Sequence, residues 1–237
     1  MPTHVPTPRL ALIPAYNEAP RIGPVVTGVL AHLPVLVVDD GSRDETVQVA
    51  EAAGATVLRQ VPNQGKGAAL RAGMRWALEA GCTAVVTLDA DGQHDPAELP
   101  KFLEKFAATG ADLVIGSRNF EHMPLVRRIA NTLGRWSFSW AVGQPIQDNQ
   151  SGYRLLSRRM MEAVITSQEQ GFEFEVEMIT TCLRRGYTLE WVPIRTIYAG
   201  ETSHIRPWQH ATNYVRIVRQ ARVAMRGSTE YGVGSRE

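Results

Sequence analysis

Two cysteines, Cys82 and Cys182, are all that 237 residues contain, and they share no metal-ligand spacing. A disulfide framework and a zinc-ribbon type site are therefore excluded, and a reducing compartment is expected, with both thiols as small buried apolar groups. No stretch approaches the ~20 consecutive apolar residues that cross a bilayer. The proline-rich start, Met1 to Pro8, lacks the charged-then-apolar layout of a signal peptide. A soluble chain, or one attached to a membrane surface, is the expectation. Net charge is only +1, so no global field draws the protein to nucleic acid or to an anionic membrane. No Gly-x-Gly-x-x-Gly follows the first apolar run, which argues against a dinucleotide-dependent dehydrogenase. No glycine- and arginine-rich loop of the sugar-nucleotide pyrophosphorylase kind is found there either.

What is present is an alternation of short apolar runs and amphipathic stretches. Strands are expected at Leu10 to Pro14, Val35 to Asp39, Ala55 to Arg59, Ala84 to Leu88 and Leu113 to Gly116. Helices are expected at Arg21 to Ala31, Asp44 to Ala53, Lys66 to Ala80 and Pro96 to Ala107. Strands this apolar, separated by helices, predict an α/β fold with a mostly parallel sheet covered on both faces. Beyond Glu121 the pattern changes to a helix over Leu125 to Val142, another over Gln170 to Arg185, a strand over Thr188 to Ile194 and a closing basic helix from Pro207 to Met225. One domain over residues 1–226 and a disordered tail over 227–237 follow from this layout.

Ligands of such sheets collect at the carboxyl ends of strands, and the polar clusters lie there. Asp89-Ala90-Asp91 follows the fourth strand: two carboxylates at a strand tip suit a hard divalent cation that also binds phosphate oxygens, although ordinary strand-to-helix turns use the same letters. Asp39-Asp40-Gly41-Ser42 can accept hydrogen bonds from a base or a ribose, or can cap the next helix. Asn63-Gln64-Gly65-Lys66-Gly67 puts a lysine between glycines at a helix start, which favours an anion; a structural turn is the alternative. The helix over Leu125 to Val142 combines Arg127, Arg128 and Arg135 with Trp136, Phe138 and Trp140, a composition fit either for a membrane surface or for packing on the body. Glu173 and Glu175 are two apart near a helix start, so they point in different directions and read as solvated charges.

In order along the chain, Pro14-Ala15-Tyr16-Asn17-Glu18, Val37-Val38-Asp39-Asp40-Gly41-Ser42, Asn63 to Gly67, Asp89 to His94 and Gly116-Ser117-Arg118 resemble an inverting family 2 glycosyltransferase of GT-A fold. Gln150-Ser151-Gly152-Tyr153-Arg154, after Asp148, is similar to the dolichyl- and polyprenyl-phosphate mannosyl and glucosyl synthase branch. The likeness spans roughly residues 10 to 206. It implies a Rossmann-like sheet flanked by helices, with helical elements at the C-terminal end. It implies that Pro14, Tyr16, Glu18 and Asp40, with Lys66 and Asp89, hold a nucleotide-sugar of the GDP-mannose or UDP-glucose type. Asp89, Asp91 and Gln93 would ligate Mg²⁺ or Mn²⁺. Arg118, Arg127, Arg128 and Arg154 would grip an anionic acceptor, with Arg154 equally suited to a structural salt bridge.

Asp91, Arg118 and Asp148 are the expected catalytic set. With a lipid phosphate as acceptor no base is needed, and Asp148 orients its neighbours. With a sugar hydroxyl, Asp148 is the base. A non-catalytic nucleotide-sugar binding subunit is the third reading. The family carries an arginine where this chain has Thr196, two before Tyr198, and Ser-Lys where it has Ser203-His204. A cytoplasmic protein is expected, peripheral on the membrane and open to an integral-membrane partner, acting on a lipid phosphate and not on nucleic acid.

Overall fold

A computed structural model describes residues 9–118, 125–169, 173–195, 197, 216 and 218–225. The N-terminal segment to Pro8, Thr196, Tyr198, Ser203, His204, Arg206, the start of the closing helix and the tail 227–237 lie outside the described residues, as does the side chain of Arg127.

Seven strands form one sheet in the order β3-β2-β1-β4-β6-β5-β7. They are β1 (Arg9–Ala15), β2 (Val35–Asp39), β3 (Thr56–Arg59), β4 (Ala84–Thr87), β5 (Leu113–Arg118), β6 (Arg154–Ser157) and β7 (Leu189–Ile194). The helices are α1 (Ala19–Leu30), α2 (Thr46–Ala52), α3 (Lys66–Glu79), α4 (Leu99–Thr109), α5 (Leu125–Val142), α6 (Arg158–Val164) and α7 (Glu173–Arg184). A 3₁₀ turn, Pro96–Glu98, leads into α4. Residues 218–225 are helical too.

Successive side chains of a strand point to opposite faces, and here both faces are buried. Leu12, Leu36, Val38, Val85, Leu113 and Leu156 enter one core with Met74, Phe138, Phe174 and Ile179. Ile13, Val37, Val86, Val114 and Leu155 enter the other with Ile22, Val26 and Phe102. Runs apolar at every position are thus what the parallel β1, β2 and β4 require. α3 lies close on the sheet because position 73 is glycine: a Cβ there would sit 2.2 Å from Leu12 Cδ1.

β6 departs from the expected pattern. It lies between β4 and β5 and runs antiparallel to both, with Arg154 opposite Thr87 and Ile115. The sequence announces neither this strand nor α6 after it, because two adjacent leucines between arginine and serine give too little period to declare a strand. Its direction matters. The N-terminal end of β6 meets the C-terminal ends of β4 and β5, so the loop 143–153 joins the rim that carries the other polar clusters.

Candidate active site

The first side of the rim is a mesh of turn hydrogen bonds. Asn17, in the left-handed region at φ 55°, donates its N–H to Ser42 Oγ at 2.9 Å and accepts from the N–H of Arg43 at 2.9 Å. Asp39 accepts from the N–H of Ser42, and Asp44 accepts from the N–H of Ala19 and of Thr46. Contrary to one expectation, neither Asp39 nor Ser42 caps α2. Both oxygens of buried Asp40 are engaged by main chain: the N–H groups of Gln64 and Gly65 donate to them at 2.8 and 2.7 Å. Asp40 therefore braces the loop before Lys66, a structural task that the sequence does not reveal. Gly41 makes this approach possible: its φ is +80°, and a Cβ would lie 3.0 Å from the N of Asn63. Tyr16 is exposed, Pro14 half-buried, and Glu18 pairs with Arg21 at 2.6 Å.

The second side is the tip of β4. Asp89 Oδ1 lies 2.6 Å from Lys66 Nζ, which lies 2.7 Å from Glu175 Oε1. Burial alone would raise the Asp89 pKa, but the charge of Lys66 and its hydrogen bond outweigh it and hold the group down at about 2. Burial likewise opposes the charge on Lys66, and Asp89 and Glu175 reverse that, raising its pKa. His94 is buried and accepts the N–H of Asp89 on Nδ1 at 3.0 Å. That nitrogen carries no proton, and burial holds the ring below its ordinary pKa. The 3.8 Å approach of Nδ1 to Asp89 Oδ2 is therefore not an ion pair. His94 packs on Tyr153, and Tyr153 stacks on Phe102, fixing the tip from below. Asp91 is half-buried and accepts the N–H of Gln93 at 2.9 Å; the carbonyl of Gln93 accepts from the N–H of Ile197.

Glu175 overturns the reading of solvated charges near the start of α7. It is 2% exposed and reaches the β4 tip through Lys66. Its neighbours Phe174, Val176 and Met178 are all buried, and that apolar setting was the signal available in the sequence. Glu173 instead faces Arg216 at 3.8 Å.

The third side joins β5 to the loop before β6. Asp148 is 1% exposed. Arg118 donates to it through Nε at 2.6 Å and Nη2 at 2.9 Å, the two-pronged geometry that only a guanidinium supplies. The N–H groups of Gln150 and Ser151 also donate to Asp148. Arg154 corrects an expectation. It is fully buried, and its guanidinium donates to the carbonyls of Ser151, Glu175 and Asn149. With its guanidinium fully buried it anchors the chain from inside. Its hydrogen-bond partners are these carbonyls and Met178 Sδ, and among the described residues no carboxylate pairs with it, so the salt-bridge alternative does not describe it either. Arg128 is exposed on α5.

The donor set suits a divalent cation in one respect and narrows it in another. Hard cations such as Mg²⁺ and Mn²⁺ take one or two carboxylates and complete their shell with substrate phosphates and water. Asp91 and Asp89 offer that chemistry at an accessible rim. Among the described residues no three His, Cys, Asp or Glu side chains are grouped to hold an ion. Gly152 keeps the space small, since a Cβ there would lie 3.0 and 3.1 Å from the Asp89 oxygens and 3.1 Å from Glu175 Oε1.

The profile of the family described as Glycosyl transferase family 2 matches residues 11–164. Polyprenol monophosphomannose synthase of Mycolicibacterium smegmatis is 35% identical over 211 residues, covering 80% of this chain and 77% of that protein. Undecaprenyl-phosphate mannosyltransferase of Micrococcus luteus is 35% identical over 204 residues, covering 78% of this chain and 82% of that protein. Glucosyl-3-phosphoglycerate synthase from Mycobacterium tuberculosis, solved with Mn²⁺, UDP-glucose and phosphoglyceric acid, superposes with a TM-score of 0.67 at 20% identity, covering 93% of this chain and 79% of that one. At that identity the superposition speaks for the fold. The matched span includes the mesh around Asp40, the tip at Asp89 and the Arg118–Asp148 pair, and by it this chain belongs to glycosyl transferase family 2, with the GT-A fold.

Proposed function

We propose that the protein transfers a hexose, with inversion, from a nucleotide-sugar of the GDP-mannose or UDP-glucose type to a polyprenyl phosphate, and that the transfer depends on Mg²⁺ or Mn²⁺. The observation that carries the choice of acceptor is the state of Asp148. A general base must hold a free lone pair within hydrogen-bond reach of the hydroxyl it deprotonates. Asp148 is buried and clamped to Arg118 by two charge-assisted bonds. A phosphate acceptor is already anionic near neutral pH and needs no base. It needs cationic groups to hold it against the repulsion of the donor diphosphate, and a guanidinium fixed by its own carboxylate supplies one.

Two further observations support a lipid carrier. On α5, Leu133, Trp136 and Trp140 are 61%, 76% and 63% exposed, at spacings of three and four that place them on one stripe. Phe138, Ala141 and Val142 of the same helix are buried. Arg222 stacks on Trp140 at 4.7 Å from the ring centroid, which adds a cation to an aromatic face suited to a membrane interface. The relatives from Mycolicibacterium smegmatis and Micrococcus luteus are named for polyprenol and undecaprenyl phosphate.

On the donor side, Pro14, Tyr16 and Glu18 form the wall for the nucleoside, with Asp40 setting the shape of the loop beside it. Lys66, Asp89 and Asp91, with Gln93, face the diphosphate. When bound there, Mg²⁺ or Mn²⁺ supplies charge neutralisation to the departing nucleoside diphosphate. Arg118, with Arg128 and Arg127 on α5, steers the acceptor phosphate toward the sugar carbon.

The test uses the full chain with radiolabelled GDP-mannose and UDP-glucose, undecaprenyl phosphate in detergent, and Mn²⁺. Formation of an acid-labile sugar phospholipid, abolished by EDTA and by Asp91→Ala, is expected. Transfer that persists in EDTA refutes the metal role. Transfer to a soluble hydroxyl acceptor in place of the lipid phosphate favours the reading in which Asp148 is the base.

A further inference from the structure

The glycosyl-transfer reading gives Lys66 and the tip carboxylates a task but leaves Glu175 without one. A carboxylate this deeply buried is costly unless it is paired. Glu175 Oε1 has Lys66 Nζ at 2.7 Å, while its other oxygen, Oε2, is buried with no hydrogen-bond partner among the described residues. The residue is fixed at both ends. Its main-chain carbonyl accepts from Arg154 Nη1, and its carboxylate shares the Lys66 ammonium with Asp89. Gly152 makes the arrangement possible, because a Cβ there would press on Glu175 Oε1 and on both Asp89 oxygens at once. The loop leading into β6 thus serves the donor side twice, through the missing side chain of Gly152 and through the guanidinium of Arg154.

We propose that Glu175 is a positioning residue for donor binding: it tethers Lys66 so that the ammonium stays beside the diphosphate site when a divalent cation draws on Asp89. The inference rests on the glycosyl-transfer reading. Lys66 has two carboxylate partners. A dication held by Asp89 would compete with the ammonium for that carboxylate and repel it. Lysine is a flexible point charge with a side chain that is part exposed here, so an untethered Lys66 swings toward water. With Glu175 in place the ammonium keeps one full-strength partner within the protein, and both positive charges face the diphosphate together. Glu175 touches neither sugar nor acceptor; its action passes through Lys66.

The experiment is a calorimetric titration of GDP and of UDP, each with Mn²⁺, into the unsubstituted protein, Glu175→Gln, Glu175→Asp, Lys66→Met and the double variant of Glu175→Gln with Lys66→Met. Glu175→Gln keeps the shape of the side chain and loses the charge, and Glu175→Asp keeps the charge but shortens the reach. Both should bind the preferred nucleotide about tenfold more weakly, with the donor KM raised by a like factor. The double variant should bind no more weakly than Lys66→Met alone, because the two residues act as one unit. Losses that multiply in the double variant, or Glu175→Gln binding as tightly as the unsubstituted protein, overturn the proposal. A lowered melting temperature with unchanged nucleotide affinity overturns it as well, by making Glu175 merely structural. If the unsubstituted protein binds neither nucleotide, the glycosyl-transfer reading itself fails, and that result is distinct from a failure confined to Glu175.

Discussion

The substitution Asp148→Asn separates two chemistries that share a sequence motif. Among the described residues Asp148 accepts five hydrogen bonds, three of them from Arg118 and two from the N–H groups of Gln150 and Ser151. An asparagine side chain in its place keeps one oxygen for its own loop and turns an NH₂ toward the guanidinium, so a donor faces a donor. The pair is buried on the aspartate side but part exposed at Arg118, which places the stability loss near the lower end for broken buried pairs, about 3 kcal/mol. For a chain of this size that is a fall of about 6–12 °C in melting temperature. Arg118 then loses its orientation, and the KM for undecaprenyl phosphate should rise by about thirtyfold or more.

The pH profile of kcat carries the decision. With a phosphate acceptor the acid limb is set by the second ionisation of the acceptor, at pH ~6, so Asp148→Asn lowers the curve without removing that limb. The assay is initial rate against pH from stopped reactions with extracted lipid product. If Asp148→Asn abolishes the acid limb, costs about 10²–10⁴-fold in turnover and leaves the acceptor KM unchanged, Asp148 is a base and the phosphate acceptor is wrong.

Gly152→Ala places a methyl group within 3.0–3.1 Å of three carboxylate oxygens; it should cost about 1–3 kcal/mol in urea unfolding and weaken nucleotide binding, whereas a variant that binds normally would show that the space is not needed. Asp112 accepts from Ser157 Oγ, the N–H of Thr188 and Arg159, and although burial opposes it, these bonds hold its pKa below the usual carboxylate range. Its contribution is therefore present in full above the unfolded value of about 3.9 and is lost as pH falls through the lower folded value. The stability gap between the unsubstituted protein and Asp112→Asn should stay level from neutral pH to about pH 5 and close below about pH 4; a gap that widens in acid refutes the assignment. Exchanging Trp136 and Trp140 together for serine should leave stability within about 0.5 kcal/mol per site and reduce cosedimentation with undecaprenyl-phosphate vesicles several-fold, while undiminished binding would move the membrane contact elsewhere.

Much of this fold is legible because β1, β2 and β4 are buried along nearly their whole length and carry few polar positions to blur them. β2 falls at Val35–Asp39 and α5 at Leu125–Val142, as the sequence alone implies. α2 begins two residues later than expected, at Thr46, because Asp44 stays outside it, its carboxylate accepting from the N–H of Thr46 and of Ala19. β6 escapes because its stability comes from neighbours on both sides and not from a period of its own. The same holds for the site. Asp89, Asp91 and Arg118 are visible at strand ends, where chemistry concentrates in such sheets. Glu175 shows only as a charge in an apolar setting, and the inward turn of Arg154 not at all, since both depend on contacts between α7 and segments earlier in the chain. Asp40 is visible as a charge, but its partners are main-chain N–H groups, which no pattern of side chains announces.

The reversed direction of β6 has a consequence for how such an enzyme changes substrate. A purely parallel sheet would deliver the segment before this strand to the opposite end of the molecule. Here it arrives between the two halves of the rim, contacting Arg118 with Asp148 at one end and Lys66's partners with Gly152 and Arg154 at the other. That short stretch therefore mortises both halves together, and a graft of it from a relative should exchange acceptor preference only if its glycine and arginine travel with it.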